Sequence, residues 1–172
     1  MKFTFFSLAI LALFSCAPKK MPPKKDLPVL KASTCFENGD CTVEILKNAE
    51  LLIRKDETGQ LYVEIIPGVK NVFKYSYTRK KLEGIADSGY QEIILFEFLS
   101  GEINLLLQDK NLQEANLVFG RLCYCKGESG YFRINRGDLK LVSNNKRVAV
   151  DLKFQAEVPQ IIHELKETIK QE

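Results

Sequence analysis

From residue 148 to 157 the chain alternates, with Val148, Val150, Leu152, Phe154 and Ala156 separated by Ala149, Asp151, Lys153, Gln155 and Glu157. A period of two places one set of side chains against a core and the other in water, which only a half-buried β-strand can do. Comparable short runs occur at 42–46, 50–55, 60–66, 72–79, 91–99, 102–107, 116–126, 131–134 and 139–143. They leave room for little else. The connections are brief and carry turn chemistry, as in Asp56-Glu57-Thr58-Gly59, Ser100-Gly101, Asp109-Lys110-Asn111 and Asn135-Arg136-Gly137-Asp138. Short connections join antiparallel neighbours, so the expected class is mainly β, an antiparallel sandwich or barrel of about nine to ten short strands. One helix is expected at the C-terminal end, over 159–170. There Val158, Ile161, Ile162, Leu165 and Ile169 form a stripe and Pro159 suits a first helical turn.

The first residues have a different character. Behind Lys2 runs an apolar segment, 3–14, too short for a comfortable bilayer span and suited to the apolar region of an export signal. It ends in Leu13-Phe14-Ser15-Cys16, which resembles the lipobox of bacterial lipoproteins. The resemblance implies a signal peptide over 1–15, cleavage before Cys16, acylation of Cys16, and a partner in the membrane through that N-terminal lipid. Ala17 in place of an acidic residue is similar to the outer-membrane sorting pattern, which implies a lipid-anchored protein of the cell envelope, on the outer membrane and facing the periplasm. The likeness covers residues 1 to about 20; beyond them the chain resembles small envelope lipoproteins without matching a specific family.

Residues 16–28 then read as a tether. Pro18, Pro22, Pro23 and Pro28 keep it extended, and at about 3.1 Å per residue its twelve residues after Cys16 reach on the order of 35 Å. It also carries Lys19, Lys20, Lys24 and Lys25 against Asp26 alone. The formal charge of +3 therefore belongs to the leader and tether, and the single domain expected over 29–172 is close to neutral. A neutral domain has no electrostatic footprint for nucleic acid, so no nucleic-acid partner is expected.

Five cysteines are an odd number for an exported chain. Lipidation of Cys16 leaves Cys35, Cys41, Cys123 and Cys125 as an even set, for which three connectivities exist. A hairpin with Gly39 in the left-handed position would set Cys35 opposite Cys41. Along a regular strand, Cys123 and Cys125 would lie about 6.6 Å apart with parallel side chains, a poor geometry for a bridge unless the strand bends. Loop entropy favours two long-range bridges, at about 4.6 kcal/mol for a span of nearly ninety residues against about 2.4 for the short loop. Two long-range bridges from the 35–41 loop to the 123–125 strand are therefore expected. Two local bridges, a thiol-exchange pair at Cys123 and Cys125, and a four-thiolate zinc site are the alternatives.

Catalytic motifs are absent: there is no G-x-S-x-G, P-loop or H-E-x-x-H, and the sole histidine, His163, falls on the expected helix. Neither a cofactor nor a metal nor an enzymatic activity is expected. Phe73, Tyr75, Tyr77 and Arg79 share one face of a strand, which reads first as core and second as a recognition platform. Arg136-Gly137-Asp138 spells an adhesion tripeptide but reads first as a turn. The leading expectation is a non-enzymatic module that binds a protein or envelope partner. The alternatives are a β-barrel carrier of a small or apolar ligand, for which Ile93-Ile94-Leu95-Phe96 and Leu105-Leu106-Leu107 would form the lining, and a thiol-redox protein using Cys123 and Cys125.

Overall fold

The computed structural model describes residues 29–81, 83–85 and 87–171. The expected signal peptide, Cys16 and the tether lie outside them. Among the described residues ten strands form two antiparallel sheets: β1 (Leu30–Lys31), β2 (Gly39–Lys55), β3 (Leu61–Arg79), β4 (Tyr90–Phe98), β5 (Ile103–Gln108), β6 (Val118–Cys123), β7 (Gly130–Arg133), β8 (Gly137–Asn144), β9 (Arg147–Phe154) and β10 (Glu164–Lys170). The larger sheet has the order β1-β2-β3-β4-β6-β7 and the smaller β10-β9-β8-β5. Among the described residues the one helix is a 3-10 helix, Asp109–Ala115, where the sequence suggests a turn.

The runs at 42–46 and 50–55 are one strand, and so are those at 60–66 and 72–79. β2 and β3 form a long hairpin, interrupted by a bulge between Lys47 and Ala49 where Asn48 takes a φ of 53°. Its turn is closed by Asp56, whose carboxylate accepts hydrogen bonds from the Thr58 and Gln60 amides and the Thr58 hydroxyl.

The two sheets share one core. Phe73, Tyr75, Tyr77, Ile94, Phe96 and Phe119 from the larger sheet meet Leu139, Leu141, Val150, Leu152 and Leu165 from the smaller. These fill the space between the layers, so the aromatic row on β3 is core and not a platform. Phe73 and Phe96 stack at 4.7 Å. The tyrosine hydroxyls reach the rim, Tyr75 donating to the Thr34 carbonyl and Tyr77 to that of Glu37.

The larger sheet also buries its other face. β3 pairs with β4 over Asn71–Thr78 and with β7 at Leu61, so the sheet curls until its sixth strand meets its third. Inside the curl lies a second core of Ala49, Leu51, Val72, Ile93, Leu95 and Val118. The run Ile93-Ile94-Leu95-Phe96 is continuous because β4 is buried on both sides.

The C-terminal helix is not formed; residues 164–170 are the edge strand β10, paired with β9 from Glu164↔Lys153 to Lys170↔Arg147. Inward and outward positions alternate strictly, with Leu165, Glu167 and Ile169 inside. Because the middle inward residue is an acid, the apolar residues that remain are four apart and mimic a helical stripe. The 155–163 segment ahead of β10 is irregular and is held by the Gln160 amide, which accepts from the Ala156 N–H and donates to the Phe154 and Ile162 carbonyls.

The Arg136-Gly137-Asp138 turn has a structural reason. Gly137 has a φ of 137°, and a Cβ there would lie 2.1 Å from the Lys153 carbonyl oxygen. No side chain fits.

Candidate functional site

Both cysteine pairs lie at one end of the larger sheet, and both are local. Cys35 is bridged to Cys41 and Cys123 to Cys125. The expected long-range bridges are excluded by sheet order. β3 and β4 stand between β2 and β6, so Cys41 and Cys123 are three strand spacings apart, roughly 14 Å, twice the reach of a disulfide. Loop entropy acts on the unfolded chain and does not bring the native partners together. The strand objection to Cys123–Cys125 also dissolves. β6 ends at Cys123, the chain turns so that the Glu128 N–H reaches the Cys125 carbonyl, and the two Cα atoms come to 5.2 Å. In the first loop Asn38, at φ 59°, takes the left-handed position expected of Gly39. Gly39 is instead required for contact, since a Cβ there would lie 2.1 Å from the Tyr77 ring.

With their thiols paired, the four cysteines present no thiolates for zinc, and among the described residues no three His, Cys, Asp or Glu side chains gather as a metal site. Non-reducing peptide mapping is expected to recover Cys35–Cys41 and Cys123–Cys125 peptides, with none of the four thiols alkylated before reduction. A crosslink between the two regions would overturn this pairing.

Cys41, Tyr77, Glu92 and Arg121 are register neighbours across β2, β3, β4 and β6. Glu92 is wholly buried. One carboxylate oxygen accepts from the Tyr90 hydroxyl and the Ile161 N–H at 2.7 Å, the other from the Ile162 N–H at 2.8 Å. Glu92 therefore fastens the irregular 155–163 segment of one layer to the other. Its acceptor positions are occupied by structural donors, which suits a pin rather than a general base.

Tyr90 stands between two guanidinium groups, Arg79 at 4.2 Å and Arg121 at 5.5 Å from its ring centre. Burial and the Glu92 carboxylate push the Tyr90 pKa up, against the opposing pull of Arg121. Arg121 also donates to the Glu128 carboxylate at 2.8 Å and to its carbonyl at 3.2 Å, bracing the turn that follows the Cys123–Cys125 bridge.

Over this braced layer lie the exposed loops. Tyr124, between the two bridged cysteines, is 86% exposed, and Ile85 in the 80–89 connection is 55% exposed. Phe36, Tyr77 and Ile161 with Arg79, Lys80 and Lys81 line an open cleft of about 640 Å³. His163 is exposed, with its carbonyl accepting the Phe154 N–H.

Sequence reading misses Tyr90, Glu92, Arg121 and Tyr124 as a group. The one signal is Glu92 itself, an acid set against the apolar run of a doubly buried strand. Comparison with protein-family models, curated proteins and solved structures gives no significant match.

Proposed function

We propose that this chain is a lipid-anchored protein of the bacterial cell envelope whose β domain binds a protein or envelope partner without catalysing a reaction. The anchor is Cys16, at the end of the lipobox-like Leu13-Phe14-Ser15-Cys16, and the Pro- and Lys-rich tether carries the domain away from the membrane surface, on the outer membrane and facing the periplasm. The observation that carries the binding reading is Tyr124. A large aromatic residue exposed to 86% adds little to folding, and here it is fixed between two cross-linked neighbours. A rigid aromatic anchor loses little conformational entropy when it docks, which is why tyrosine is favoured at binding hot spots. The filled core supports surface recognition over carriage inside a barrel.

Crosslinking and pull-down from intact membranes tests this with wild type, Cys16→Ala and Tyr124→Ala. Wild type is expected in the membrane fraction with a specific partner, and Cys16→Ala in the soluble fraction. Tyr124→Ala is expected to stay on the membrane and lose about tenfold or more in capture, the scale of one hot-spot residue. Capture unchanged by Tyr124→Ala would sink the assignment of the surface. Retention of Cys16→Ala on the membrane would sink the anchor.

A further inference from the structure

We propose that the groove between the β2 and β10 edges binds a fatty acid, with its carboxylate at Lys47 and Lys170 and its chain against Val43, Ile45 and Ile169. The groove runs along the β2 and β10 edges from Ser33, two residues before Cys35, to Lys47; its lining does not include Tyr124, Tyr90 or Arg121, so it does not depend on the reading of that surface. It arises because, among the described residues, β1 covers only two positions of the much longer β2, while β10 ends the opposing sheet. The gap left between the two edges has a volume of about 400 Å³, within the range of about 300–1,000 Å³ of small-molecule sites.

Its lining is apolar along the middle, through Leu30, Val43, Ile45 and Ile169, and charged at the ends. Glu167 stands at one end, its carboxylate accepting the Ser33 N–H at 3.0 Å and the Thr34 N–H at 3.3 Å. Lys47 and Lys170 stand at the other, and Lys31 lies on the rim. All three lysines are exposed, and none enters an ion pair among the described residues. Three uncompensated cations around an apolar slot, on a nearly neutral domain, call for a ligand with an apolar body and one anionic head. Glu167 sets its direction by repelling the head toward Lys47 and Lys170.

An added peptide strand fits less well. Beyond Ile45 the bulge at Asn48 breaks the edge. An acyl chain needs no ladder.

The test uses the full chain in solution with a photoreactive diazirine fatty acid, and labelled peptides are mapped by mass spectrometry. Labels are expected within residues 29–47 and 164–171. In the variant Lys31→Gln/Lys47→Gln/Lys170→Gln, whose changes are all at exposed positions and whose fold is checked by circular dichroism, labelling is expected to fall about tenfold, the scale of three modest charge contacts. The matching diazirine fatty alcohol is expected to label the groove weakly in both proteins. Labels scattered over the surface or confined to the apolar 3–14 segment would overturn the proposal. So would labelling of the triple variant at the wild-type level, or equal labelling by acid and alcohol. Because the probe is supplied in solution, a failed membrane anchor leaves these outcomes unchanged.

Discussion

Replacing Glu92 with leucine is expected to destabilise the domain by about 3–5 kcal/mol, read as a lower midpoint of urea unfolding. Leucine is of similar size, so the cost is not a cavity. It is the loss of every acceptor for the Ile161 N–H, the Ile162 N–H and the Tyr90 hydroxyl, and each buried donor left unsatisfied costs about 1–3 kcal/mol. The expected total sits below the largest sum because the 155–163 segment can lift and hydrate its amides. That relief has its own signature: amide exchange at Ile161 and Ile162 is expected to accelerate well before global unfolding. Glu92→Gln keeps one acceptor and sets an amide donor against the other N–H, so an intermediate loss is expected. A change below about 1 kcal/mol for Glu92→Leu, with exchange at Ile161 and Ile162 unaltered, would refute the pinning role.

Glu97→Gln is expected to cost about 2–3 kcal/mol at neutral pH and almost nothing in acid. Glu97 is 3% exposed, and its carboxylate accepts from the Leu51 N–H, the Lys70 ammonium at 2.7 Å and the Asn116 side-chain amide at 2.9 Å. Burial alone would raise its pKa, but these three donors outweigh it and hold the pKa below the ordinary 4.5. A folded pKa below the unfolded one means that ionised Glu97 adds stability above pH 4.5, and that this stability is lost as pH falls through the depressed folded value. The neutral glutamine has no such titration. The gap between wild type and Glu97→Gln should therefore be widest near pH 7 and close progressively below pH 4.5. A gap of constant size from pH 7 to pH 3 would count against this assignment.

Glu92, Glu97 and Glu167 share one design. Each occupies an inward position of a strand and accepts backbone N–H groups from a segment distant in sequence: 161–162, Leu51 and 33–34. Around Glu92 and Glu167 the donors lie in connections that cross the layer edges, where backbone N–H groups have no ladder to join, and each of these carboxylates satisfies two at once; Glu97 takes a single N–H, that of Leu51 within β2. All three acids are visible in the sequence, but what each binds is not. Glu167 even misdirects, because its presence between Leu165 and Ile169 turns a period-two pattern into an apparent helical one.

The cysteines carry the same lesson in another form. Their parity and the lipobox-like ending at Cys16 lead to disulfides, and both bridges are present. Their pairing follows from strand order, which no spacing of Cys35, Cys41, Cys123 and Cys125 encodes. Tyr124 is equally legible as a residue and illegible as a surface, since its exposure depends on β6 ending one residue before it.

Alternation and turn residues determined by themselves that this chain is a mainly antiparallel β domain, and where most of its strands lie, because period and turn chemistry are local properties of the backbone. Tertiary structure alone decided which strands are neighbours, which cysteines meet, that the larger sheet curls onto its second face, and that the last segment is an edge strand. The physical reason is that these outcomes depend on what a buried carboxylate or an open strand edge finds across the core, and that partner lies tens of residues away along the chain.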